Sequence, residues 1–444
     1  MPHMLRAGPY RTIQLEDGQA VPYYIIPFDK RGACVGPKTR AHLIDAARDG
    51  GFSDIFLFSH GWNNDWSVAT GRYEDFLKGY MDMRAAHDLA MPGGYKPLLV
   101  GVFWPSTALV FGESEKGPAI AAGDPAAMDT AVAEELEEIS ALAEDLDAMA
   151  AARLYELAQR DALDSDEAVE LAEILKQVYI GSDDELGEDE PVSAEDLVEF
   201  WAQAQAEPDD LDDFGTVDSA ADDGPQAAFI GGLIKKLDPR PAIRSVTVYK
   251  MKDRAGKVGA RGVGPLLHDL LAASDARLHQ IGHSYGGKVM LSATAIAPLP
   301  REVDSMLLLQ PAVSHLCFAS KVPGTNRSGG YQPVLERVKK PILSTFSRHD
   351  FPLTKIFHLA LRRKTDLGEA QIAAGEPPSR YAALGGFGPR RCNEKLIDIQ
   401  SVNGAYDLDP EVQIYGLRGD EAINGHGDIS NEATWWALYT LASH

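Results

Sequence analysis

Ser284 stands in Gly282-His283-Ser284-Tyr285-Gly286, and two chemistries compete for that stretch. Read as G-x-S-x-G, it is a sharp strand-to-helix turn that lifts a serine hydroxyl out as a nucleophile. Read as Gly282 to Gly287 followed by Lys288, it fits the first seven positions of G-x-x-x-x-G-K-[ST], a loop whose amides cradle phosphates. The phosphate loop needs a hydroxyl after its lysine to hold Mg²⁺, and Val289 occupies that position. No convincing aspartate ends a strand to complete such a metal site, so the nucleophile is the reading to carry along the chain.

A serine hydroxyl attacks poorly until a base takes its proton. In turns of this kind the partners follow in the order Ser, then Asp or Glu, then His, each after a later strand. His426 lies in the glycine-flanked stretch INGHGDI before the final helical pattern and is the expected base. Asp350, ending the apolar run PILSTFSRHD, is the expected acid, with Asp420 and Asp428 in reserve. An oxyanion would need two N–H donors. One is expected from Tyr285, the other from Trp62 in SHGWNND, with Asn63 as the fallback and Gly61 allowing close approach. His60, Asn63, His283 and His315 are candidate pocket residues, although His315 and His349 also read as structural.

The elements that must position these groups alternate. Tyr10 to Leu15 and Val21 to Phe28 flank Asp17-Gly18 as a hairpin. DIFLFSHGW, PLLVGVFWPS, ARLHQIG, DSMLLLQPAVS, KPILSTFSRHD and VQIYGLR read as buried strands. Helical patterns run near Arg40 to Arg48 and through RYEDFLKGYMDM, GVGPLLHDLLAA, GGKVMLSATAIA and NEATWWALYTLA. Strands separated by helices predict an α/β protein with a mainly parallel sheet covered on both faces.

One segment interrupts the alternation. Of 66 acidic residues, 36 fall between Glu113 and Asp238, against 6 of the 42 lysines and arginines, so the net charge of -24 belongs to that segment. Val132, Leu136, Ile139, Ala143, Leu146, Ala150 and Leu157 draw one apolar stripe, as on a long helix. Asp166 to Ile180 predicts a second helix, and Ser193-Ala-Glu-Asp196 starts a third with a capping-box pattern leading to Leu197, Phe200 and Trp201. GSDDELGEDEP and EPDDLDDFGTVDSAADDGP are too charged to pack and read as loops. Alternating elements resume at SVTVYKM. The expected organisation is residues 1–111 and 241–444 as one domain, with 112–240 an acidic helical insertion over the mouth of the site.

The acidity argues against nucleic acid or an anionic membrane as partner. It leaves room for a basic protein that docks on the insertion, the reading that competes with an enzyme because a fold does not dictate a function. Three widely spaced cysteines, Cys34, Cys317 and Cys392, form neither a disulfide framework nor a zinc pattern. No run reaches the roughly 18 apolar residues of a membrane span, and the start lacks the apolar stretch of a signal peptide. A soluble cytoplasmic protein is the expectation, with signal-independent export left open.

Several stretches together are familiar: FLFSHGWNND, VGVFWPS, MKDRAGKVGARGVGPLL, LHQIGHSYGGKVML, LLLQPAVSH and GHGDI. They resemble a group of bacterial α/β-hydrolase-fold proteins described as serine hydrolases, and the likeness covers most of the chain outside the acidic insertion. The resemblance implies Ser284 as nucleophile, His426 as base, Asp350 as acid, and Trp62 and Tyr285 as oxyanion donors. The resemblance implies a fold and a reaction type but no substrate; hydrolysis of a carboxylic ester through an acyl-enzyme, esterase- or lipase-like, is the default expectation because esters are the easiest common substrates, and no metal or organic cofactor is expected. A peptidase, amidase or thioesterase would use the same residues. The substrate would be a small-molecule or lipid-like ester; oligomeric state is not legible.

Overall fold

In the computed structural model, residues 7–14, 20–62, 64–106, 139, 142–143, 146–160, 162–179, 193–195, 197–198, 201, 237–296, 298–350, 352–356 and 382–443 are described. Among them nine strands form one sheet. They are β1 (Arg11–Gln14), β2 (Ala20–Pro27), β3 (Asp54–Ser59), β4 (Pro97–Phe103), β5 (Arg277–His283), β6 (Ser305–Leu309), β7 (Ile342–Phe346), β8 (Lys395–Asp398) and β9 (Ile414–Arg418). Their order is β1-β2-β4-β3-β5-β6-β7-β9-β8, and every neighbouring pair is parallel except the β1–β2 hairpin.

The helices that matter here are α1 (Pro37–Asp49), α2 (Trp66–Ala86), α3 (Ala148–Ala158), α4 (Ser165–Tyr179), α5 (Pro239–Val258), α6 (Gly264–Ala273), α7 (Tyr285–Ile296) and α8 (Glu432–Ala442). Side chains alternate across a strand. Ile55 and Leu57 of β3 therefore join the core under α1, α6 and α7, while Phe56 and Phe58 join the opposite core under α2 and α8. All four are buried. Each such side chain contributes about 1.5–3 kcal/mol of hydrophobic stabilisation, which is why the central strands read as unbroken apolar runs.

The chain reverses its direction of travel across the sheet between β3 and β5. The helix after β3 packs on one face and the helix after β5 on the other, so the ends of these adjacent strands open a crevice. In open parallel sheets such a switch point is where ligands bind. Both G-x-S-x-G and SHGW fall there.

Three sequence expectations change in detail. The stripe from Ile139 to Leu157 faces one small core, but not on one unbroken helix: Asp147 is extended, and its carboxylate accepts from the N–H groups of Met149 and Ala150 to start α3 afresh. Val132 and Leu136, the turn at Asp17-Gly18 and both acidic loops lie outside the described residues. SVTVYKM is helical throughout, inside α5, because Asp238 caps Arg240 N and Pro239 fits the first turn. Ala242, Ile243 and Val246 then serve the insertion's core, and Met251, Ala255 and Val258 the main one, at helical spacing. Packing at that period outweighs the β-branched composition. Finally, β8 was not legible. Its four half-exposed residues, KLID, pair with β9 at the edge of the sheet, so VQIYGLR is last in sequence but not in space.

Candidate active site

Ser284 is the residue between β5 and α7, and its φ of 55° lies in the left-handed region where a non-glycine residue is strained. The surroundings hold it there. Its N–H donates to Leu309 O at 3.1 Å, and its carbonyl accepts from Gly287 N at 3.0 Å and Ala312 N at 3.1 Å. The flanking glycines answer to space. A Cβ on Gly286 would stand 2.1 Å from Ser59 O and 2.5 Å from His60 O, and one on Gly282 2.6 Å from Gly287 Cα. Backbone atoms cannot move aside, so only glycine fits.

His426 reaches this serine from the loop between β9 and α8. Its Nε2 lies 2.8 Å from Ser284 Oγ, and its Nδ1 lies 2.9 Å from Oδ2 of Asp350. A carboxylate accepts and does not donate, so Nδ1 carries the proton and Nε2 turns its lone pair to the hydroxyl. Asp350 is fully buried behind β7 and also accepts from Leu353 N through Oδ1 at 3.1 Å. The reserve acids are used elsewhere: Asp420 accepts from Arg348 N, and Asp428 shapes the histidine loop by accepting from Asn424 N and Asn431 Nδ2. Of the three carboxylates, Asp350 is the one bonded to His426.

Gln310, unremarked in the sequence, joins the three elements. It follows β6 with a φ of 41°. Its buried amide nitrogen donates to Gly425 O at 2.8 Å, His426 O at 3.2 Å and Asp350 Oδ2 at 3.3 Å. No periodicity could have flagged it, since it looks like the polar end of an apolar strand. His283, expected in the pocket, is buried and donates through Nε2 to His426 O at 2.8 Å. Burial pushes its pKa well below the usual imidazole value, so it is neutral.

The SHGW loop is braced from beneath. His60 lies behind it, stacked on Trp104, its Nδ1–H given to Gly61 O at 2.8 Å and its Nε2 accepting from Trp104 N at 3.3 Å. Burial lowers its pKa to about 3. Asn64 and Ser106 hold the far side: Asn64 Nδ2 donates to Gly61 O and Trp62 O, and Ser106 Oγ exchanges hydrogen bonds with the Asn64 backbone. The loop touches the serine, since a Cβ on Gly61 would lie 2.7 Å from Ser284 Cβ and 3.2 Å from its Oγ. Trp62 follows that glycine, and Tyr285 opens α7 where a peptide N–H has no intrahelical acceptor. Asn63 lies outside the described residues.

His315 is not brought to this cluster. Its Nδ1 and backbone N both donate to Ala382 O, and burial lowers its pKa to about 4, which makes it a structural tie. Lys288 does not face the turn either. It is buried under the ring of Tyr331 and against Gly256, which removes the cation that a phosphate loop would need. Among the described residues no group of three or more His, Cys, Asp or Glu is placed to hold a metal ion, and no helix is long and apolar enough to cross a membrane.

A serine, an imidazole and a buried carboxylate in one hydrogen-bonded line form a unit that can transfer a proton from hydroxyl to imidazole as the oxygen attacks an electrophile. The class defined so far is an α/β protein with such a line at the switch point of its sheet. The chain matches no protein-family model, no curated protein and no solved structure.

Proposed function

We propose that this protein is a serine hydrolase of the α/β-hydrolase fold that cleaves carboxylic esters. The reading rests on the Ser284–His426–Asp350 line, with both hydrogen bonds at 2.9 Å or less. It is supported by the strained φ of Ser284 and by the order of the three residues along the chain.

In this mechanism Ser284 Oγ attacks the ester carbonyl while His426 Nε2 takes its proton. Asp350 holds the imidazole in orientation and stabilises the imidazolium. The backbone N–H groups of Tyr285 and Trp62 take the oxyanion. Collapse of the tetrahedral intermediate breaks the C–O bond to the alcohol, which leaves with the proton from His426. Water then attacks the acyl-serine, again giving its proton to His426, and the acid departs as Ser284 recovers its hydrogen. The neutral imidazole of His426 is the working form, because an imidazolium has no lone pair to take the proton.

The test is labelling with a fluorophosphonate, followed by a series of p-nitrophenyl esters from acetyl to palmitoyl, on the wild type and Ser284→Ala. The expected result is labelling of the wild type alone and a loss of turnover of about 10⁴-fold or more in the variant. Full activity in Ser284→Ala sinks the proposal, as does a folded wild type that neither labels nor hydrolyses any ester.

A further inference from the structure

Among the described residues, one cation at this site is left without a counterion. Arg72 lies in the second turn of α2, beside Tyr73, whose hydroxyl accepts from His60 N at 2.7 Å and donates to Val102 O at 2.5 Å. That clamp fixes the Arg72 backbone one residue from a tether to the SHGW loop. From the other side, Arg72 Nη2 comes within 3.8 Å of where a Cβ on Gly427 would stand, immediately after the candidate base His426. Its charge is felt at His60 and at His283, the residue before Ser284. The guanidinium is thus at the seam between the oxyanion loop and the histidine loop.

It is only partly exposed and has no hydrogen bond or ion pair with any described residue. Three nearby carboxylates are committed elsewhere, since Asp65 caps Val68 N, Glu74 pairs with Arg11, and Asp428 holds Asn424 and Asn431, while the exposed Asp75, one turn further along α2, makes no ion pair with Arg72. Burial lowers its affinity for its proton, with no acidic group opposing that effect. A partly desolvated guanidinium without a counterion is costly to keep. Arg301, by contrast, has a carboxylate opposite it: its terminal nitrogens donate to Asp304 and to the carbonyls of Ser274 and Ala276. Arginine's planar fork of donors matches a carboxylate or phosphate in two parallel hydrogen bonds.

We propose that Arg72 binds an oxyanion carried by the substrate, a carboxylate or phosphate remote from the scissile bond, so that the ester hydrolysed here carries a single small anionic group. This rests on the serine-hydrolase reading and narrows it. The net charge of the chain disfavours polyanions and anionic surfaces, whereas one small anionic group held by two short hydrogen bonds is captured locally.

The experiment uses the full chain and pairs of methyl esters that differ only at the far end of the acyl chain: methyl, carboxylate or phosphate, over two to six methylenes. Hydrolysis is followed by pH-stat for the wild type, Arg72→Gln and Arg72→Lys, with Tm and fluorophosphonate labelling measured on each. The expected result is a kcat/KM at least tenfold higher for one anionic ester than for its neutral counterpart. Arg72→Gln removes that ratio, Arg72→Lys keeps part of it, and added NaCl lowers it. The better of the carboxylate and phosphate arms identifies the anion. A wild type that favours the neutral ester at every length overturns the proposal, as does Arg72→Gln lowering both esters in parallel. Those outcomes occur with labelling intact; a wild type that neither labels nor cleaves any ester instead overturns the hydrolase reading and this inference with it.

Discussion

His283 Nε2 donates to the backbone carbonyl of His426 at 2.8 Å, so the residue before the proposed nucleophile holds the loop that carries its proposed base. The two imidazole rings stand 5.0 Å apart. The contact explains why a histidine fills a buried position next to Ser284: it supplies one donor on a rigid aromatic body. Replacing His283 with Phe keeps the bulk and deletes the donor, leaving a carbonyl of the histidine loop with less support. The expected outcome is a fall in kcat of about 10- to 100-fold with a smaller change in KM, and slower fluorophosphonate labelling. Unchanged labelling would show that the loop is held without His283.

Gln310 bridges Asp350 to the carbonyls of Gly425 and His426. Removing its amide in Gln310→Leu takes one donor from a fully buried carboxylate and two contacts from the histidine loop. Leaving such groups short of partners costs about 1–3 kcal/mol. A lower Tm and a lower kcat are expected together. Gln310→Glu is the sharper comparison, since a second carboxylate beside Asp350 adds like-charge repulsion. Activity in Gln310→Glu should recover toward lower pH, where the new acid is protonated; a profile that parallels the wild type would argue for a merely structural Gln310.

These partners explain what the sequence could and could not disclose. Ser284, Asp350 and His426 were legible because each follows a strand whose apolar run is unmistakable, and because glycines mark the turns around two of them. Gln310 and Arg72 were not. Gln310 bonds to the carbonyl of residue 425 and Arg72 approaches residue 427, both far along the chain, and neither breaks a local rule. The same distinction holds for the fold. Central strands advertise themselves by being buried on both faces, whereas β8, half-exposed and four residues long, carries no such pattern. In α5 a β-branched stretch became helix because its capping aspartate and its apolar positions at helical spacing outweigh local preference.

Two glycines separate stability from activity. In Gly286→Ala the new Cβ meets the carbonyl oxygens of Ser59 and His60 at 2.1 and 2.5 Å, which belong to the central strand β3 and the turn after it. Relief requires the elbow and β3 to part, at an expected cost of about 3 kcal/mol or more, visible as a large drop in Tm or as loss of soluble protein. In Gly61→Ala the clash is instead with Ser284 itself, at 2.7 Å from Cβ and 3.2 Å from Oγ. A loop shift of under an ångström relieves it, so the expected loss is mainly in kcat. Equal Tm losses in the two variants would contradict this separation.

Stability should also depend on pH through buried imidazoles, of which His60, His283 and His315 are the most shifted and His279, bonded to Asp54, is lowered by burial as well. Burial holds His60 at about 3, His315 at about 4 and His283 well below the ordinary value, while in the unfolded chain each titrates near 6.5. A depressed folded pKa means that the unfolded state binds the extra proton, so the contribution is fully present above pH 6.5 and is lost as pH falls toward each folded value. The limiting slope is about 1.4 kcal/mol per pH unit for each group, or about 4 for three independent groups. The midpoint of urea unfolding should therefore fall between pH 6.5 and 4.5. His315 tests the cause without touching the serine: His315→Asn retains a donor near Ala382 O but cannot be protonated, and it should flatten the slope by one group's share, up to about 1.4 kcal/mol per pH unit. An unaltered slope in that variant would mean that the acid sensitivity arises from groups other than these histidines.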